Sequence, residues 1–322
     1  MNIIKPLQLS VLHKSFTYLD KDIFAVSIPI AFSLIDGEIL LEQKLWSTIG
    51  DELDGDVFDV GMPKAIGEVL VCGNFIAPNN QTVNAGSVHL KVTSIDEKGN
   101  IHTPVDKELA VFGDRHWYKL LGAGITPSSP ENFTKMPITY QNAYGGEGYE
   151  FNPEGKGYKA IETDTGEVQL LPNIEYKNNL ITSSSRLVPP ASLGRVDIMW
   201  QPRIDKAGTF DQDYLDNQMP GLANDINWEY FNDASEDQWL NGPFKGTERF
   251  SITNMHAEHQ IFEGQIPQIY GRAFVNQTSI NIETNELETQ FKEIQTKLDT
   301  LWLFPNAAMG VMIYRGTMEA KS

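Results

Sequence analysis

Apolar side chains recur at every second position along much of the first third of the chain. In IFAVSIPIAF at 23–32 and SVHLKVTS at 87–94, this period of two is that of a β-strand with one buried face. The first segment puts five apolar residues on that face: Phe24, Val26, Ile28, Ile30 and Phe32. Short apolar runs closed by glycine, EVLVCGNF at 68–75 and ELAVFGD at 108–114, are typical of buried strands.

Turn signals separate these strands, and the pattern returns in the last third of the chain. IDGE at 35–38 and DEKGN at 96–100 predict hairpin turns. QIYGRAFV at 268–275, LDTLWLFP at 298–305 and MGVMIYRG at 309–316 predict three further strands. We therefore expect a mainly β fold, with antiparallel strands in a sandwich or barrel-like core, a few short helices, and an α+β class as the alternative.

Two segments carry helical spacing instead. In EQKLWSTIGDEL at 42–53, apolar residues three or four apart predict a helix: Leu45, Trp46, Ile49 and Leu53. The stretch 286–298 has the same spacing at Leu287, Phe291, Ile294 and Leu298, yet its neighbours are strand-like. Both a helix and a strand stay open there.

Residues 122–225 have a different texture, rich in Gly, Pro, Asn and Ser. Few regular elements fit such a composition. Scattered aromatics favour ordered loops over disorder, because disordered segments are poor in aromatic residues. The expected organisation is one large β-rich domain over 1–322 with a loop-rich insertion at 122–225, and the alternative is that this domain is the N-terminal part of a longer protein.

Composition narrows the class of protein. Hydrophobic residues make up 41% of the 322 residues, enough for a sizeable core, and the formal net charge is −18. Such an acidic chain repels phosphate backbones, so we expect no nucleic-acid partner, while a basic protein partner is favoured. Cys72 is the only cysteine, so no intramolecular disulfide can form. Without a signal peptide or a long apolar span, the sequence predicts a cytoplasmic protein with no membrane partner.

The stretch FGDRHW at 112–117 is the first candidate for chemistry. Asp114, Arg115 and His116 stand in a row, but no nucleophile elbow of the GxSxG type accompanies them. The favoured interpretation is structural: Asp114 and Arg115 anchor a strand end by hydrogen bonds, and His116 stacks near Trp117. A catalytic role is the alternative.

Other polar groups give weaker signals. HAEH at 256–259 lacks the arrangement of a zinc-binding HExxH motif, and no phosphate-binding loop is present. Asp237 lies near Trp228, Phe231 and Trp239, which predicts a local knot of aromatics with acidic groups capping turns. A glycosidase would use a carboxylate pair, but any acidic chain offers many. We therefore assign no catalytic, cofactor-binding or metal-binding residues and expect no cofactor.

Successive blocks of the chain resemble one bacterial family. They are IIKPLQLSVLH, DVGMPKAIGEVLVCG, LAVFGDRHW, MPITYQNAYGGEGYEFNPEGKG, GRVDIMWQPRIDKAGTFDQDYL, INWEYFNDASEDQWL and LDTLWLFPNAAMGVMIYRG. They follow the order of a domain-of-unknown-function family of type VI secretion accessory proteins. The residues that match its signatures, expected to be structural, are Phe112, Gly113, Asp114, Arg115, His116, Trp117, Trp228, Phe231, Asp237, Gln238 and Trp239.

The resemblance implies a cytoplasmic adaptor or chaperone without enzymatic activity. Such a protein binds a toxic effector and helps load it onto the secretion spike. The acidic charge predicts that the bound effector segment is basic, and spike components are possible further partners. The alternatives are an all-β hydrolase or carbohydrate-binding protein, and a structural component of the spike. The partner-binding residues, the effector and the oligomeric state stay open at this point.

Overall fold

The computed structural model describes residues 2–4, 10–19, 21–52, 60–120, 124–158, 169–269, 272–280 and 287–320. Strands dominate this part of the chain. They are, in chain order, β1 (Asn2–Ile4), β2 (Leu12–Tyr18), β3 (Lys21–Ser33), β4 (Glu68–Val71), β5 (Asn74–Ile76), β6 (Ala85–Ile95), β7 (Ile101–Phe112), β8 (Trp117–Leu120), β9 (Gly124–Pro127), β10 (Lys135–Pro137), β11 (Tyr144–Gly145), β12 (Lys156–Gly157), β13 (Ile174–Tyr176), β14 (Arg249–Thr253), β15 (Ile261–Gln265), β16 (Arg272–Ile280), β17 (Leu287–Gln295), β18 (Lys297–Phe304) and β19 (Met309–Glu319). The α-helices are α1 (Glu42–Glu52) and α2 (Gln212–Asn217).

Short 3₁₀ turns punctuate the loops between these elements. They are Pro78–Asn80, Tyr140–Asn142, Ile204–Lys206, Trp228–Phe231, Glu236–Gln238 and Pro305–Ala307. The longer α-helix, α1, has 11 residues. Within the described residues no helix has the length and apolar character needed to cross a membrane.

Two five-stranded sheets form the body of the protein. One has the order β13-β7-β6-β14-β15 and is antiparallel throughout. The other has the order β2-β3-β19-β18-β4, in which only the β4–β18 pair is parallel. Smaller sheets, including β1-β16-β17, lie beside them. The predicted mainly β class is confirmed.

The main core lies between the two large sheets. Apolar residues of β3 and β18, such as Ile28 and Leu301, belong to one buried cluster with Leu90 of β6 and Leu109 of β7. The alternation read from the sequence therefore selects the inward face of each strand. Two twisted sheets that share such a layer form a β-sandwich.

Strand β3 departs from a one-sided pattern. The residues from Ile23 to Phe32 are all buried, so both faces of this segment are covered. On the second face, Leu45 and Ile49 of α1 pack with Ala31 and neighbouring strand residues. The helix predicted at 42–53 is thus confirmed over 42–52, and Leu53 lies outside the described residues.

The ambiguous stretch near the C-terminus is a strand. Strand β17 pairs with β16 in antiparallel register, with Ile294 opposite Ala273, and both residues join the main core. Inter-strand hydrogen bonds and burial therefore override the helical spacing of the local sequence. Residue 286, which begins that stretch, lies outside the described part.

The described residues between 124 and 225 form loops with short strands and the helix α2, and they lead to one side of the sandwich. There the 3₁₀ turn Glu236–Gln238 contacts both β7 of one sheet and the edge strand β4 of the other. Gln238 donates from its side-chain amide to the carbonyl of Val69 in β4 at 2.7 Å and to that of Leu193 at 3.0 Å. Loop segments therefore cover strand edges that would otherwise be open to non-native pairing.

Candidate functional site

The first signature block, Phe112–Trp117, begins where β7 ends. A side chain at Gly113 would place its Cβ 1.9 Å from the backbone oxygen of Glu131, so only glycine fits this close approach. The backbone nitrogen of Gly113 donates to the oxygen of Asn84 at 3.2 Å. The glycine therefore lets the chain leave the strand against a neighbouring loop.

Arg115 of this block is buried in an ion pair. Its guanidinium donates to the carboxylate of Glu175 in β13 and to the backbone carbonyl of Pro172, and the side chains of Arg115 and Glu175 are 7% and 1% exposed. The guanidinium carbon also lies 4.1 Å from the centre of the Phe112 ring. A buried pair of this kind fixes the geometry of the strand ends that it joins.

Asp114, His116 and Trp117 of this block also make contacts within the protein. The Asp114 carboxylate accepts from the Asn173 amide at 2.9 Å. Trp117 packs against a cluster containing Tyr144 and Leu171, and no ring contact joins it to His116 among the described residues. His116 is held through its backbone, which donates to the Ser128 hydroxyl at 3.0 Å. The expected stacking of His116 near Trp117 is therefore not seen.

The second signature block, Glu236–Leu240, carries a lysine-centred network. Lys107 of β7 points into the sandwich with its side chain 1% exposed, and its ammonium reaches the Asp237 carboxylate at 2.9 Å. It also donates to the Ser235 hydroxyl and to the Gln238 side-chain oxygen, each at 2.8 Å. An ammonium has three donors, so these three acceptors satisfy it completely.

The contacts within this network shift the pKa values of its ionisable groups. Burial would raise the pKa of Asp237, but Lys107 and the hydrogen bonds from Ser235, Lys107 and Tyr176 outweigh this and lower it. Burial lowers the pKa of Lys107, and Asp237 opposes that shift. Burial, reinforced by the charge of Asp237, raises the pKa of Tyr176, whose hydroxyl donates to Asp237 at 2.8 Å. At neutral pH Asp237 is therefore ionised and the Tyr176 phenol is protonated.

The two blocks meet through neighbouring residues of one short strand. In β13, Glu175 binds Arg115, whereas Tyr176, on the opposite face of the strand, binds Asp237. Sequence separation hides this link, because β13 lies far from both blocks along the chain. The three-residue strand β13 therefore supplies a hydrogen-bond partner to each of the two signature blocks.

The aromatic residues near Asp237 fall into two groups rather than one knot. The Trp228 ring lies 5.8 Å from that of Phe231 and 4.9 Å from that of Tyr18 in β2. Trp239 instead donates from its indole nitrogen to the Ala234 oxygen at 2.9 Å, and the Lys206 ammonium lies 4.6 Å from the centre of its ring. Of the three aromatic residues in the predicted knot, Trp239 lines the same cleft as Asp237, whereas Trp228 and Phe231 do not.

A buried ionic cluster escaped the sequence analysis. Asp233 accepts from Lys64 at 2.9 Å and lies 3.1 Å from Arg203 and 3.2 Å from Arg195, and Lys64 also pairs with Glu68. Burial would raise the pKa of Asp233, but these cations lower it far below its ordinary value. Lys64 and Asp233 lie 169 positions apart, so no local pattern could pair them, although both fall within blocks of the family resemblance.

The cluster continues into the second sheet. Arg315 of β19 pairs with Asp299 of β18 and donates to the Thr300 hydroxyl at 3.1 Å. Asp299 in turn accepts from the backbone nitrogen of Lys64 at 3.0 Å. These groups compensate one another's charge in the interior, which is the condition for burying them.

A cleft of about 320 Å³ opens beside the second signature block. Seven of its lining residues are aromatic or proline, and several others are charged. The aromatic and proline residues are Tyr140, Phe151, Tyr176, Pro189, Pro190, Pro202 and Trp239. A second cavity of about 530 Å³ shares Tyr140, Val196 and Arg203 with it. Concave, mainly apolar sites with a few polar groups are the usual form of binding sites.

The histidines of the HAEH segment pack on each other. The rings of His256 and His259 lie 5.1 Å apart, and Nδ1 of His256 accepts from the backbone nitrogens of Glu258 and His259, each at 3.1 Å. Burial, with a smaller contribution from His259, lowers the pKa of His256. Within the described ranges no three His, Cys, Asp or Glu side chains are grouped to hold a metal ion.

Residues 20–315 match the model of a bacterial family, described as uncharacterized protein conserved in bacteria (DUF2169). Because the match spans most of the 322 residues, the chain belongs to the DUF2169 family. No curated protein and no solved structure gives a significant match to the chain.

Proposed function

We propose that this DUF2169 protein is a non-enzymatic adaptor that binds a type VI secretion effector in the cytoplasm. In this role it helps to load the effector onto the secretion spike. The proposal starts from the block-by-block resemblance to accessory proteins of that system. The structural observation that supports it is the internal use of the signature residues beside an open, apolar cleft.

The contacts of the ionisable signature residues argue for this role. Arg115 pairs with Glu175 and donates to the carbonyl of Pro172, and Asp237 accepts from Lys107, Ser235 and Tyr176, so both side chains are engaged within the protein. An adaptor needs only a docking surface of roughly 800 Å² per partner with a few aromatic or arginine anchors. The exposed aromatic and proline residues around the cleft can supply such anchors.

A tagged pull-down from the native bacterium tests the proposal. We expect one toxin-like protein, with or without a spike component, to co-purify in a near-stoichiometric amount when identified by mass spectrometry. Association of the purified pair should slow as salt rises, because an acidic adaptor attracts a basic segment. A protein that comes down alone from cells expressing the secretion system contradicts the adaptor role.

One observation favours a second candidate, an all-β hydrolase. The Ser235 hydroxyl lies 2.8 Å from the Lys107 ammonium at the edge of the cleft, a pairing that serine–lysine hydrolases use. The geometry disfavours it, because the Lys107 nitrogen also lies 2.9 Å from Asp237 and 2.8 Å from the Gln238 side-chain oxygen, acceptors that hold it in the donor role. Ser235 also donates to Asp237 at 2.6 Å, which holds its proton away from Lys107.

Ester and glycan substrates separate the two candidates. The adaptor proposal expects no turnover above background by the wild-type protein. Turnover that disappears in Ser235→Ala, with an unchanged melting temperature, would establish the hydrolase instead. A structural spike component, the remaining alternative, predicts that the protein itself accumulates in the secreted fraction.

A further inference from the structure

The cleft beside the second signature block is rigid for a binding site built from loops. Pro189, Pro190 and Pro202 line it together with Tyr140 and Trp239. Proline has a fixed φ, and aromatic side chains have few rotatable bonds, so these walls lose little conformational entropy when a ligand binds. Its volume of about 320 Å³ is at the lower end for ligand pockets, which suits one large side chain rather than a cofactor.

Apolar surface continues from the cleft toward solvent. Phe151 lines the cleft and is 44% exposed. Leu187, two positions before Pro189, is 66% exposed, and Ile198 at the adjoining cavity is 46% exposed. Single exposed apolar residues are ordinary, but a group of them at a concave site is typical of protein–protein contacts. The cleft therefore has both a pocket for an anchor and an apolar margin.

At the rim of the cleft the carboxylates are more exposed to solvent than the cations. The side chains of Glu236, Asp237 and Glu229 are 62%, 39% and 38% exposed. The cations at the same cleft are turned inward, because the side chains of Lys206 and Arg203 are 17% and 7% exposed. A ligand approaching from solvent therefore meets carboxylates first.

Lys206 is the cation that holds two of these carboxylates in place. Its ammonium lies 2.8 Å from Glu229 and 2.9 Å from Glu236, across the face of Trp239. Burial would lower the pKa of Lys206, but the hydrogen bonds and charges of these two glutamates outweigh it and raise the pKa. One partly buried cation thus holds two carboxylates at the rim and leaves an excess of negative charge there.

From these features we infer that the cleft binds a basic segment of a partner protein through one large apolar anchor side chain. The anchor inserts between Trp239, Phe151 and the prolines, and flanking Lys or Arg residues of the partner face the rim carboxylates. This inference rests on the proposed adaptor function and specifies the chemistry of the segment that the adaptor recognises.

Synthetic fluorescent peptides provide the probe. The test peptide has one Trp flanked on each side by Lys and Arg. One control peptide has Ala in place of Trp, and the other has Glu in place of the basic residues. Fluorescence anisotropy at low salt should show binding of the test peptide, at least tenfold weaker binding of the Ala peptide, and no measurable binding of the Glu peptide. Equal binding of all three would overturn the inference.

Matched variants locate the site on the protein. Phe151→Ser should weaken binding of the test peptide at least tenfold, whereas Ile261→Ser, 59% exposed on the edge strand β15, should leave it unchanged. Removing two rim charges by Glu229→Gln with Glu236→Gln should weaken binding severalfold and flatten its salt dependence. The same change at Glu97 and Glu263, exposed residues away from the cleft, should do neither.

The native pull-down separates this inference from the proposed function. If Phe151→Ser still retains the effector and the peptide at wild-type levels, the cleft is not the site, although the adaptor role stands. If the wild-type protein retains no effector but binds the test peptide through the cleft, the adaptor role fails and the recognition chemistry stands. Unchanged melting temperatures are required of all variants, so that loss of folding is not read as loss of binding.

Discussion

The two signature blocks hold similar charged groups in different surroundings. In the first, the Arg115–Glu175 pair is sealed from solvent, with side chains 7% and 1% exposed. In the second, Lys107 is equally buried, but its partner Asp237 is 39% exposed and lies at a cleft. A completely buried ion pair can only stabilise the fold. An ion pair with one partner at a cleft also provides a charge that a ligand can contact.

The difference has an energetic consequence. Removing one member of a sealed pair leaves a charge that cannot reach water, so the loss is large. Asp237 can turn toward solvent when its partner is removed, so the second block should tolerate the same kind of change better. Substitutions in the first block should therefore lower the stability of the fold. Substitutions around the second block should also weaken the binding of a partner.

The largest effect is expected for Arg115→Met, which strands the Glu175 carboxylate in the interior. We expect a loss of about 3–5 kcal/mol in the free energy of unfolding, measured by chemical denaturation. Replacing Glu175 by Leu in the same protein should recover part of the loss, because no unpaired charge then stays buried. A loss below about 1 kcal/mol would show that the pair is not sealed.

Gly113→Ala should come next, because the new Cβ would stand 1.9 Å from the backbone oxygen of Glu131. Overpacking of this kind costs about 1–3 kcal/mol or more. The matched control is Gly50→Ala in α1, where a Cβ meets nothing within 4 Å. That change should stabilise the protein by up to about 1 kcal/mol. Equal melting temperatures for the two variants would contradict the close approach at Gly113.

Lys107→Met should cost about 1–3 kcal/mol, because Asp237 loses its partner but can be hydrated. The cost should depend on pH. The pKa of Asp237 is lowered in the fold, so the pair's stabilisation is present above the unfolded pKa of about 3.9 and is lost as pH falls through the folded value. Denaturation of both proteins between pH 7 and pH 3 should show the gap narrowing below about pH 4. A gap independent of pH would rule out the ion pair as its source.

The smallest effect on stability is expected for Glu229→Gln with Glu236→Gln. These side chains are 38% and 62% exposed, and glutamine keeps a carbonyl oxygen that can accept from Lys206. The free energy of unfolding should change by less than about 1 kcal/mol, by the same denaturation assay. A larger loss would mean that the rim, like the first block, is part of the folding framework.

Much of the β framework could be predicted from local pattern. The period-two segments at 23–32 and 87–94 are strands β3 and β6, and the apolar spacing at 42–53 marks α1. The pattern did not show that the second face of β3 would be covered, because the covering residues of α1 come from a separate segment. At 286–298 local spacing was ambiguous, and only pairing with β16 decided for a strand.

The candidate site was predicted in part. The blocks at 112–117 and 236–240 were singled out, and Asp237 and Trp239 do lie together at the cleft. Lys107 drew no attention, because a lysine in a strand is ordinarily solvated, and only the sandwich shows that it points inward. The ring contacts separate Trp228 and Phe231 from Asp237, since Trp228 packs against Phe231 and against Tyr18 of β2.

By itself the sequence determined the alternation of strand faces, the helix α1, the acidic charge and the blocks that mark the family. These properties depend on composition or on residues that are neighbours along the chain, so they do not require knowledge of the tertiary structure. The tertiary structure decided which charges meet, as with Lys64 and Asp233, 169 positions apart, and which block borders a cleft. Ion pairing and burial depend on distance in space, and only the packing of the two sheets and their loops sets those distances.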